Sequence, residues 1–90
     1  MSQVVVKRNG SDEAFDVKKL YASIYTSMLA AHETTKTAEY VSNEVSRSVQ
    51  AWAHSLTELS SHDIRVVAAK KLVEYNTRAQ FLYLHHKLMF

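Results

Sequence analysis

The chain contains no proline and a single glycine, Gly10, and this constrains its fold more than any other feature. Proteins built from strands and tight turns need residues that reverse the backbone, whereas helix interiors exclude both proline and glycine. A mainly helical chain follows. Its 90 residues suit one domain over 1–90, and a hydrophobic content of 47% is enough for a core. Cysteine is absent, which removes disulfides, thiolate metal sites and cysteine nucleophiles.

The lone glycine locates the expected sheet. Gln3-Val4-Val5-Val6-Lys7 is β-branched and short, and Asn9-Gly10 supplies the positive φ angles of a tight reversal, so residues 3–15 read as a hairpin returning through Glu13-Ala14-Phe15. Asp16 is placed to cap a helix reaching roughly His32, with Val17, Leu20, Tyr21, Ile24, Met28 and Ala31 along one face. After the polar break Glu33-Thr34-Thr35, a second helix sets Ala38, Val41, Val45, Val49 and Trp52 on one side. Ser55-Leu56-Thr57-Glu58-Leu59 has weak strand character and would add a third strand. Ser60-Ser61 and Asp63 start a third helix that runs through Ile64, Val67, Ala68 and Leu72 to about Tyr75. Asn76-Thr77 caps a last helix from Arg78 to the C-terminus, with Phe81, Leu82, His85 and Leu88 or Met89 on its inner side. The expected class is α+β, mainly α: a four-helix bundle capped by a small three-stranded sheet that includes the N-terminal hairpin.

Chemistry concentrates at the hairpin tip. Lys7 and Arg8 beside the Asn9-Gly10 turn, followed by Asp16, Lys18 and Lys19 at a helix start, form a cradle for phosphate oxygens; a solvated surface turn carries such cations too. Metal chemistry is not expected. His85 and His86 are adjacent and diverge by ~100° on a helix, and His32, His54 and His62 lack ligand spacing. Magnesium would enter only with a triphosphate, held by phosphate oxygens and water. Catalysis has no support either, since one glycine cannot make a glycine-rich phosphate loop and no nucleophile, base and acid can be grouped. Trp52, in step with Val45 and Val49, reads as core rather than a base-stacking platform.

The whole pattern carries more than its parts. Val5-Val6-Lys7-Arg8-Asn9-Gly10, Glu13-Ala14-Phe15-Asp16, Lys19-Leu20 and Ile24 resemble the opening signature of the ATP cone family, and Ser61-His62-Asp63-Ile64-Arg65-Val66-Val67 with Lys71-Leu72 and Ala79 resembles its second half. The resemblance implies a four-helix bundle covered by a three-stranded sheet, with a nucleotide between the hairpin region and the helices. It assigns Lys7, Arg8, Lys19 and Lys87 to phosphate oxygens, with Asn9 and Gly10 as the turn among them. Val5, Leu20 and Ile64 would line the base, Glu13 and Asp16 would neighbour base or sugar, and Ser61 and Arg65 would complete the phosphate side. The sequence departs from the family pattern at Asn9, where aspartate is commoner, at Arg65, where reductase cones often carry a smaller polar residue or histidine, and at Leu84-His85-His86-Lys87, where many members have Tyr-Arg.

The function so implied is a non-catalytic regulatory domain that binds ATP and dATP and controls activity through oligomerisation, as in ribonucleotide reductase, either with itself or with the reductase catalytic subunit. Tyr25, Tyr83 and Met89 are the candidates for such association, each equally readable as ordinary core. The chain stops at Phe90 without a reductase barrel, which fits an excised N-terminal domain, a free-standing cone or the nucleotide half of something else. The alternatives are a small basic helical module binding nucleic acid or a protein partner without nucleotide sensing, and a purely structural interaction domain. A net charge of +2 leans toward anionic partners. Lys18, Lys19, Lys70 and Lys71 are nevertheless dispersed among acidic residues rather than forming the basic stripe that nucleic-acid binding favours. No apolar run suits a signal peptide or membrane span, so a cytoplasmic protein without membrane contact is expected.

Overall fold

In a computed structural model, the backbone is described for residues 4–6, 12–14, 16–56 and 58–85, and the side chains for 16–56, 60 and 62–85. Helix α1 spans Val17–Ala30, α2 Thr35–Ala53, α3 Ser61–Leu72 and α4 Thr77–His85. Every helix begins at a side chain that accepts an otherwise unpaired backbone N–H. Asp16 Oδ1 accepts from Lys18 N at 3.0 Å and Lys19 N at 3.3 Å, and Thr34 Oγ1 from Thr37 N at 3.2 Å. Ser60 Oγ accepts from Asp63 N at 2.9 Å, and Asn76 Oδ1 from Ala79 N at 2.8 Å. Each cap contributes about 1 kcal/mol.

The end of α1 is tighter than its sequence suggests. His32 N donates to Leu29 O at 3.0 Å and Glu33 N to Met28 O at 3.1 Å, the paired bonds of a Schellman turn. The residue that closes it, His32, adopts φ 69°, a left-handed conformation that normally favours glycine.

The helices form a ring in which α1 touches α2 and α4, and α3 touches α2 and α4. Leu20, Ile24 and Met28 of α1, Val41, Val45 and Val49 of α2, and Ile64 and Leu72 of α3 fill the centre, all at 2% exposure or less. Full burial of one such side chain contributes about 1.5–3 kcal/mol. Small residues share the same faces: Ser23 and Ser27 on α1, Ala38, Ser42, Ser46 and Ala53 on α2, Ala68 and Ala69 on α3. Ser23 and Ser27 satisfy their hydroxyls on Lys19 O and Ser23 O.

The expected α+β class with a capping sheet is corrected. The part of the chain with described side chains is 80% helical, and no sheet layer covers the helices there. Extended backbone is confined to three-residue segments, β1 Val4–Val6, β2 Asp12–Ala14 and β3 Glu58–Ser60. They pair through the backbone in the order β2-β1-β3. The physical reason is brevity. The valine run is three residues long, while Asp12, Glu13, Ala14 and Glu58 are poor strand formers, and such short segments offer too few side chains to shield a bundle.

The inner face of α4 also differs from expectation. Ala79 and Tyr83 are buried, whereas Phe81 is 56% exposed and His85 is exposed. Tyr83 therefore belongs to the core and is not an association surface, and Tyr25 packs half-buried against that core. Leu88 and Met89 lie outside the described residues, as does the Asn9-Gly10 turn. No described helix is long and apolar enough to cross a membrane.

Candidate functional site

The short ladder organises the sequence around two helix starts. β1 is central: it pairs antiparallel with β2, Val5 opposite Glu13 and Val6 opposite Asp12, and parallel with β3, Val6 opposite Ser60. β3 continues into α3, whose first residues include Ser61, Ile64 and Arg65. β2 leads through Asp16 into α1, whose first turn contains Lys19 and Leu20. Because β2 and β3 run in opposite directions, these helix starts are reached from opposite ends of β1, two residue steps or ~7 Å apart.

Of the residues expected at a nucleotide site, Val5, Glu13 and Ser61 are therefore gathered by the backbone along or just beyond this ladder. Leu20 and Ile64 meet in one core, at 0% and 1% exposure. In this structure neither presents a surface to a ligand. The Asp16 carboxylate is engaged in capping α1, and Lys19 is exposed. Lys7, Arg8, Asn9, Gly10 and Lys87 lie outside the described residues.

Arg65 is half-buried one turn into α3, where its positive charge acts on Tyr83 of α4. Burial pushes the Tyr83 hydroxyl well above the ordinary tyrosine value, and the Arg65 guanidinium opposes this. Tyr83 is 3% exposed, and its hydroxyl has no hydrogen-bond partner among the described residues. Most buried hydroxyls are satisfied; those of Ser42 and Ser46 on α2 share the state of Tyr83 among the described residues. The sequence leaves Tyr83 open between an association surface and ordinary core.

Elsewhere, Trp52 packs half-buried against the core, in keeping with its periodicity. Thr77, Arg78, Phe81 and Leu82 line an open groove on α4. No group of three or more metal-ligating side chains occurs among the described residues. The arrangement offers two capped helix starts with a cation on each, Lys19 on α1 and Arg65 on α3. Such parts suit binding a polyanion better than bond-breaking chemistry.

Comparison with known proteins gives one family. A family model described as the ATP cone domain matches residues 3–86. No curated protein matches the chain.

Proposed function

Since the chain belongs to the ATP cone family, a family of nucleotide-binding regulatory domains not catalytic by themselves, we propose that it senses adenine nucleotides for a partner enzyme. ATP and dATP bind beside the hairpin segment, with Lys7, Arg8, Lys19, Arg65 and Lys87 on the phosphates and magnesium accompanying the nucleotide. Val5, Leu20 and Ile64 form the base-facing side, Glu13 and Asp16 neighbour the base or sugar, and Ser61 stands with Arg65. The observation that carries this reading is the pairing of Val6 with Ser60. It sets the strand that leads into Lys7-Arg8-Asn9-Gly10 beside the start of α3, which holds Ser61 and Arg65.

The regulatory output is oligomerisation, of this chain or with a ribonucleotide reductase catalytic subunit. A nucleotide shifts association only by preferring one assembly over another, so ATP and dATP act differently if each favours a different state. Calorimetric titration tests the first step: both nucleotides bind and raise the melting temperature by mass action. An unchanged trace and melting temperature at millimolar ATP and dATP overturn the reading. Light scattering without nucleotide, with ATP and with dATP tests the second, and one mass in all three conditions, with an indifferent reductase partner, removes the switch.

A further inference from the structure

The face of the bundle formed by α2 and the turn after α3 carries two exposed aromatic rings side by side. Tyr40 of α2 is 59% exposed and Tyr75 is 45% exposed. Their ring centroids are 6.3 Å apart and their planes are inclined at 79°. Exposed aromatics in edge-to-face contact form an open corner with a π face available on the outside. Val73, in the same turn as Tyr75, is also exposed.

Two carboxylates, Glu44 and Glu74, act on this corner. The Tyr75 hydroxyl is held above its ordinary value, first by desolvation, then by Tyr40 and by the carboxylates of Glu44 and Glu74. Glu44 has one cationic neighbour, Arg47, at 3.9 Å, but the Arg47 side chain is 78% exposed, and such pairs contribute little and exchange readily. Lys36 and Lys71 stand one turn ahead of the two tyrosines, exposed, and neither is among the groups acting on Tyr75. Aromatic faces with carboxylates at their rim attract organic cations, guanidinium most of all.

We propose that the Tyr40–Tyr75 corner, with Glu44 and Glu74 at its edge, is a docking site for an arginine-containing basic segment of a partner protein. A guanidinium stacks on an aromatic face while its N–H groups reach a carboxylate, displacing Arg47 from Glu44. The surface is distinct from the helix starts assigned to the nucleotide. It is nonetheless mechanically connected to the bundle, because the residue after Tyr75 is Asn76, which caps α4 and bonds to Glu33.

The test uses acetylated tetra-arginine amide as probe and the citrulline tetrapeptide as its uncharged isostere, titrated at low salt and followed by calorimetry. The parent chain binds the arginine peptide and not the citrulline peptide. Tyr40→Ala/Tyr75→Ala weakens binding about tenfold, Tyr40→Phe/Tyr75→Phe retains it, and Glu44→Gln/Glu74→Gln weakens it severalfold. ATP affinity is the same in all four proteins. Absence of binding to the parent, equal binding of the two peptides, or equal affinity in the parent and the double alanine variant overturns the proposal. Circular dichroism melting confirms that the exposed substitutions leave the fold intact.

Discussion

The Asn76 side-chain amide donates a hydrogen bond to the carboxylate of Glu33, 43 positions away in sequence. One side chain thereby performs two tasks, since its carbonyl oxygen caps α4 through Ala79 N at 2.8 Å. The turn joining α1 to α2 is fastened to the turn joining α3 to α4. Asn76→Ala removes both bonds at a half-buried position and is expected to cost about 2 kcal/mol. Urea denaturation measures it, and a double-mutant cycle with Glu33→Gln separates the cross-turn contact from the cap. Additive effects in the cycle would show the contact to be worth nothing.

His32 closes the α1 Schellman turn at a φ of 69°, where a β-carbon is unfavourable. His32→Gly relieves the crowding, partly offset by the greater freedom of glycine in the unfolded chain, and should raise stability by about 0.5–1 kcal/mol. His32→Ala keeps the β-carbon and should give no gain. Thermal melts of the two variants distinguish these outcomes.

Tyr83 makes stability fall in alkali. Its folded value lies above the unfolded tyrosine value, so the folded state holds the phenol proton more tightly. The corresponding stability is present below about pH 10 and is lost as pH rises above it, at about 1.4 kcal/mol per pH unit for one proton. Tyr83→Phe removes the ionisable group and should flatten the decline by that slope. Tyr75, raised in the same direction, remains in the variant and sets the residual slope. Parallel alkaline denaturation curves would contradict this assignment.

Lys7→Ala and Arg8→Ala should each weaken ATP and dATP binding by about 1.5–3 kcal/mol, the value of a charge-assisted contact. The melting temperature without nucleotide should change little, because cations beside an expected turn are not core residues. Calorimetry on both variants checks the affinity. Parent-like binding in both would move the phosphate site elsewhere.

Local chemistry was the legible part of the fold. Asp16, Ser60 and Asn76 announced helix starts because a cap acts within three residues of itself, and the α1 and α2 stripes repeat often enough to select one face. α4 was misread because Phe81, Leu82, Tyr83 and Leu84 are consecutive apolar residues in a helix of nine. Periodicity cannot choose a face there, and the close approach allowed by Ala79 turns Tyr83 inward. The His32 turn was hidden because no glycine marks it. The sheet was overread: its hairpin signal is local, but a covering layer depends on strand length that Asp12, Glu13 and Glu58 do not supply. The motif suggests residues for the proposed site, whereas the buried Tyr83 hydroxyl arises from the packing of α4 and has no signature along the chain.

The parallel pairing of β1 with β3 also implies an order of assembly. α1 and α2 are joined by a short turn and make local contacts, whereas Val4 pairs with Glu58 across the length of both helices. Closing a long loop costs entropy that local contacts do not, so the ladder beside the proposed nucleotide site forms late and opens early. Hydrogen exchange should find the amide of Val5 less protected than that of Ile24, and equal protection would mean ladder and bundle unfold as one unit. A ligand spanning the ladder and the helix starts would then act as a latch, holding shut the segment with the greatest tendency to come undone.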